Sequence, residues 1–180
     1  MKSKILGGLA GISLVLGATG AMAQSESTNR VAANTDWSVF VESDPTSCWV
    51  VSSPKEMVNT RDGRVVAVQR GTALLFVTYI PSQGAKGQVS FTGGYPFAPG
   101  SQVSLEISSQ TFQLFTDETT NKEMAWSPSD ADDAKIIAAM KRGAEAVLTA
   151  RSARGTITKD TFSLLGFTAA MAESEGRCAN

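Results

Sequence analysis

Along most of this chain apolar residues recur at every second position in short runs interrupted by Gly, Pro, Asp and Ser, which is the period of half-buried β-strands. Trp37, Val39 and Val41 alternate with Ser38, Phe40 and Glu42, a pattern that Phe40 makes imperfect. Asp44-Pro45 marks a turn before a second run, Cys48-Trp49-Val50-Val51. A polar link follows Pro54, with a turn at Arg61-Asp62-Gly63-Arg64. Val65, Val66 and Val68 then predict a short strand that Gly71 ends. Residues 73–80 are almost wholly apolar, which predicts a central strand covered on both faces. Gly84 and Gly87 bracket a loop, residues 88–92 form a strand, and 93–100 (GGYPFAPG) is a connection no helix can cross. Val103, Leu105 and Ile107, then Phe112 and Leu114, are the arms of a hairpin turned at Ser108-Ser109-Gln110.

One stretch changes period. Ser127-Pro128-Ser129 leads into Asp130, Asp132 and Asp133; Ala134, Ile136, Ile137 and Met140 follow at helical spacing, and Lys141-Arg142 stand before Gly143. Acids at the positive end, bases at the negative end and Gly as a left-handed stop predict a helix near 130–142. Residues 144–151 return to strand, 154–160 read as a polar loop and 161–164 as a last strand. Residues 166–172 predict a short carboxyl-terminal helix that delivers Cys178 to the surface. The expected fold is mainly β, a β-sandwich or barrel-like arrangement with these two helices. It forms one domain over 37–180, preceded by a polar, flexible leader at 24–36.

The start of the chain follows another pattern. Lys2 and Lys4 precede an apolar run over residues 5–20, and Ala21-Met22-Ala23 supplies small residues where a signal peptidase cuts. Residues 1–23 therefore predict a secretory signal peptide with Gln24 as the first mature residue. The run is shorter than the roughly 20 residues a membrane helix needs. Residue 24 is not Cys and no Arg pair precedes the run, so neither a lipid anchor nor a twin-arginine route is indicated. Removal of the signal takes Lys2 and Lys4 with it, leaving 157 residues in which 17 acids face 14 bases. A mildly acidic domain is a poor nucleic-acid binder, so no nucleic-acid partner is expected.

The chain has no histidine, which excludes Ser-His-Asp triads, Cys-His dyads and His-containing zinc sites. No catalytic, cofactor or metal site is expected. Asp130, Asp132 and Asp133 resemble the start of a calcium loop, yet Lys135 and Lys141 stand where such a loop needs Gly and Glu, so helix-dipole compensation explains the acids. Export to an oxidising compartment favours a disulfide between Cys48 and Cys178, closing a loop of about 130 residues; the alternative is two separate thiols. Phe91, Tyr95 and Phe97, set among glycines and prolines, are either an exposed partner contact or a cap on the core. Arg151, Arg154 and Lys159 read as a solvated basic loop. Glu106, Asp117, Glu118 and Glu123 are carboxylates from which a glycosidase pair would have to be drawn.

Several stretches together resemble a known family. Trp37-Ser38-Val39 followed by Cys48, Leu74-Leu75-Phe76-Val77, the run from Val89-Ser90-Phe91-Thr92 to Gly93-Gly94-Tyr95-Pro96-Phe97, and Phe162-Ser163-Leu164-Leu165-Gly166-Phe167-Thr168-Ala169-Ala170 before Cys178 look like the invasion-associated locus B family of alphaproteobacterial envelope proteins. The resemblance implies a β-rich periplasmic or outer-membrane-associated protein, with a role in host-cell invasion in pathogenic members and no known catalytic residues. Relatives often carry a cysteine where this chain has Val41, which leaves Cys48 to Cys178. The expectation is a non-enzymatic exported protein, periplasmic, peripheral to the outer membrane or secreted, that binds an envelope protein or surface component. The alternative is a carboxylate-based hydrolase acting on envelope glycans.

Overall fold

The computed structural model describes residues 29–44 and 46–178. The expected signal peptide, the leader up to residue 28 and Pro45 of the expected turn lie outside the described residues. The strands are β1 (Arg30–Asn34), β2 (Trp37–Ser43), β3 (Thr46–Ser52), β4 (Glu56–Arg61), β5 (Arg64–Val65), β6 (Leu74–Ile80), β7 (Ala85–Thr92), β8 (Gln102–Ile107), β9 (Gln110–Thr116), β10 (Met124–Trp126), β11 (Glu145–Arg151) and β12 (Ile157–Ser163). The helices are α1 (Asp130–Met140) and α2 (Phe167–Cys178). All strand pairs are antiparallel, in the order β1-β2-β3-β6-β7-β10-β9-β8-β11-β12-β4-β5.

The long sheet folds over itself, as a two-layered β fold requires. Phe91 of β7 meets Phe162 of β12 edge-on at 6.2 Å, although four strands separate them in the sheet order. The Trp37 indole N–H of β2 donates to the Ser163 carbonyl at 3.0 Å. Leu75, Val77, Val89, Leu105 and Leu148 fill the space between, all fully buried. Helix α2 covers β1, β2 and β3. Trp37 and Phe167 pack edge to face at 4.8 Å there, and a disulfide joins Cys48 to Cys178 across 5.9 Å between Cα atoms. Helix α1 lies on β7; Ser129 caps it, its Oγ accepting the Asp132 N–H at 3.2 Å.

Several expectations change. The leader expected over 24–36 contains β1, which pairs with β2 (Arg30↔Phe40, Asn34↔Trp37); an edge strand needs few apolar residues, and in β1 the partly buried Ala32 packs against the core. The polar link after Pro54 is β4, and the supposed loop at 154–160 includes the first half of β12. Of the expected valine strand only Val65 lies in a paired strand, β5; residues 66–73 form a strap outside any strand, its start held by the Val66 N–H donating to the Asn59 carbonyl at 2.9 Å. In β6, Leu75, Val77 and Tyr79 are buried while the alternate residues are half-buried, so one face is fully covered rather than both. Helix α1 ends at Met140, and Gly143 is not left-handed; a Cβ there would lie 2.7 Å from Ile107 Cγ2, so close packing requires the glycine. Helix α2 runs on to Cys178, which is buried at 1% exposure because the disulfide draws it inward.

Candidate functional site

The inner face of a β-layer is normally apolar, but at the β12-β4 end it changes character. Along β12 the inward positions are Thr158, Asp160 and Phe162, exposed by 1%, 0% and 0%. Two polar residues thus stand where the pattern calls for apolar ones. The strap serves them. It carries Arg70 inward, where the guanidinium meets Asp160 in a two-pronged ion pair, one contact being 2.8 Å and the other shorter. Bidentate, charge-assisted pairs of this kind hold both groups in a fixed geometry. Arg70 also donates to the Gly93 carbonyl at 3.3 Å, and Asp160 raises the arginine's pKa above its ordinary value.

The strap then passes so close to the β7–β8 connection that only glycines fit. Gly71 N–H donates to the Gly94 carbonyl at 2.8 Å, and Gly94 has φ of 71°; a Cβ on it would sit 2.3 Å from the Gly71 oxygen. Tyr95 follows, half-buried, its ring edge-on to Phe97 at 5.3 Å and 5.8 Å from the Arg70 guanidinium carbon. Its hydroxyl hydrogen-bonds Thr158 Oγ1. Burial, against the opposing effect of that bond, pushes the Tyr95 hydroxyl up to about 12.

Between strap and floor opens a cleft of about 770 Å³. Its walls are residues 67–71 of the strap, Gly94-Tyr95-Pro96, and the turn joining β11 to β12, with Arg61, Arg154 and Glu123 at its rim. The turn is braced: Ser152 N–H donates to Thr156 O at 2.9 Å, Thr156 N–H to Ser152 Oγ at 3.1 Å, and Ala153 N–H to the Pro96 carbonyl at 2.9 Å. Arg61 donates to Thr156 Oγ1 at 2.7 Å. Neither Arg61 nor Arg154 pairs with a carboxylate among the described residues. Glu123 is the one carboxylate among the described lining residues.

The residues singled out in the sequence scatter around this cleft. Phe91 and Phe97 are 0% and 5% exposed and belong to the core, so they are closed to a partner; of the three aromatics only Tyr95 reaches the cleft. Arg154 stands on its rim, whereas Arg151 and Lys159 are outward-facing strand positions beside it. The four carboxylates do not form one site. Glu106 is exposed on β8, Asp117 accepts the N–H groups of Thr119, Thr120 and Asn121, and Glu118 accepts the Gly100 N–H. Those bonds, led by the Thr119 N–H, hold the Asp117 carboxyl down to about 2. Asp133 accepts the Val89 N–H at 2.7 Å and is buried, which raises its pKa; no acidic group with metal-binding geometry occurs among the described residues. Arg61, Arg70 and Asp160 were not legible as site residues, since 90 positions separate Arg70 from Asp160. Nor was the parallel stack of Phe40 on Trp49, 5.5 Å apart, half-buried on the outer face of β2 and β3; its signal was the apolar residue that spoiled the alternation.

The sequence profile described as Invasion associated locus B (IalB) protein matches residues 37–175. No curated protein matches the chain. The fold is similar to that in the crystal structure of invasion associated protein b from Bartonella henselae, with a TM-score of 0.53 and 16% identity over 81% of this chain and 95% of that one.

Proposed function

This chain belongs to the Invasion associated locus B family, and from that premise we propose that it works in the cell envelope by binding a protein or surface component at the arginine-rimmed cleft, without catalysis. Family and disulfide together indicate an exported protein. Among the described residues no helix is long and apolar enough to cross a membrane. A periplasmic site, peripheral to the outer membrane, fits these features. The observation that carries the binding reading is the composition of the cleft: three arginines and a tyrosine around a single glutamate. General acid-base work on a glycan needs two carboxylates across one bond, and here the other candidate acids are exposed or tied into turns away from the cleft lining.

Affinity capture from envelope extract tests this directly. The exported protein should retain a partner that Arg61→Ala with Arg154→Ala releases while the fold, followed by circular dichroism, stays intact. Retention of the same partners by both proteins would remove the cleft from the interaction. Turnover of envelope glycans that Glu123→Gln abolishes would replace binding by catalysis.

A further inference from the structure

We propose that the cleft is a receptor for an oxyanion, a carboxylate or phosphate carried on a molecule of sugar size. The inference rests on the binding reading above and names the chemistry bound. Its first support is a local reversal of charge. The chain as a whole has 17 acids against 16 bases, yet the described cleft lining has three arginines against one glutamate. Asp160 neutralises Arg70 below, which leaves Arg61 and Arg154 at the rim against Glu123.

The second support is what those two arginines lack. A guanidinium presents five donors in a rigid fork matched to carboxylate and phosphate oxygens. Arg61 uses a donor on Thr156, and neither rim arginine meets an acid among the described residues. Third, their backbone supports are fixed before any ligand arrives. Arg61 ends β4, and Arg154 sits in the braced turn beside Gly155, whose φ is 79°. A backbone already braced leaves less conformational freedom to lose on binding. The volume, about 770 Å³, falls in the range of small-molecule sites, roughly 300 to 1,000 Å³.

Two sources of oxyanion suit this chemistry, an acidic sugar and a sugar phosphate, and NMR titration of the isotope-labelled exported protein separates them. The probes are glucuronic acid, glucose 6-phosphate and glucose. Saturable shifts at the Gly94 and Arg154 amides are expected with either or both acids and not with glucose, and which acid acts identifies the source. Arg154→Ala, whose side chain makes no described bond, should weaken binding about tenfold, the loss expected for one charge-assisted contact. Glu123→Gln should tighten it. The proposal is overturned if neither acid shifts these amides, if glucose shifts them equally, or if Arg154→Ala binds as the parent does. A partner released by the arginine substitutions from a protein that binds neither acid would sink this inference and leave the binding function standing. Acid binding without any such partner would do the reverse.

Discussion

The region beneath α2 and the region beneath the strap are both buried, but they are closed by different physics. Beneath α2, Trp37, Phe167 and Met171 are exposed by 1% or less and a disulfide ties the helix down. Burial there is non-directional, so apolar side chains fill the gap. Beneath the strap the contacts are Arg70 with Asp160, Tyr95 with Thr158, and Arg61 with Thr156. Each is directional, and the buried Arg70–Asp160 pair in particular needs both partners, so the side chains stand where the bonds hold them and a cleft remains. A fold can keep an open site inside a close-packed sandwich by changing the currency of its contacts at one end.

The largest effect should come from cutting the covalent tie. The bridge closes a loop of 130 residues, for which the chain-entropy account gives about 5 kcal/mol, with native bridges commonly at 2 to 5. Cys48→Ala with Cys178→Ala should lower the urea midpoint accordingly and speed amide exchange in α2 first, leaving the cleft's amides protected until global unfolding. Equal loss of protection at both ends would erase the distinction between them.

Next in size is Asp160→Ala. It strands the Arg70 guanidinium, whose side chain is 7% exposed, and removing one partner of a buried pair costs about 3 to 5 kcal/mol. Asp160→Leu together with Arg70→Met should recover most of that loss, since well-packed apolar replacements of such pairs are often neutral. The recovered protein should still lack the normal Tyr95 environment. Failure of the double variant to recover stability would show that the pair stabilises the fold beyond satisfying itself.

The same contrast decides what could be read from the sequence. Helix α1 was legible because its signals are local: acids in the first turn and apolar residues at helical spacing. The disulfide was legible from compartment logic applied to two cysteines. The hairpin of β8 and β9 was legible because Val103, Leu105 and Ile107 alternate with wet positions. The cleft was not, for a physical reason. Strands β4 and the start of β12 carry Asn59, Arg61, Thr158 and Asp160, so the alternation that identifies a strand is missing where the inner face turns polar. Polar strands that line a site look like loops. Phe91 and Phe97 stood between an exposed contact and a cap on the core, and burial of both rings, one on β7 and one in the turn that follows, decides for the core.

Smaller again is the bond between Tyr95 and Thr158. Thr158→Val leaves the hydroxyl of Tyr95 without its partner, a loss of about 1 to 3 kcal/mol. Tyr95→Phe alone leaves Thr158 unpaired at similar expense, and the double variant should lose less than the two single losses added. Additive losses in thermal or urea unfolding would mean that the two hydroxyls do not depend on one another.

The smallest effect concerns the chain's two tyrosines, which fall one in each region. Tyr79 donates to Glu175 of α2 at 3.0 Å, and burial first, then the glutamate's charge, raises its pKa far above the ordinary value of 10.0. Tyr95 is raised from the same value to about 12, again chiefly by burial. A folded-state pKa above the unfolded one means stability that is whole below pH 10.0 and is lost as the pH climbs through the folded value. Native protein should therefore show no phenolate absorbance at pH 10.0, where an open tyrosine is half ionised. Tyr79→Phe should leave a single rise near pH 12, while in Tyr95→Phe the rise should appear only as the chain unfolds. The cleft is open to water on one side and the space beneath α2 is not, so Tyr95 is the ring expected to ionise first. Ionisation of Tyr79 ahead of Tyr95 would place solvent beneath α2 and invert the contrast between the two regions.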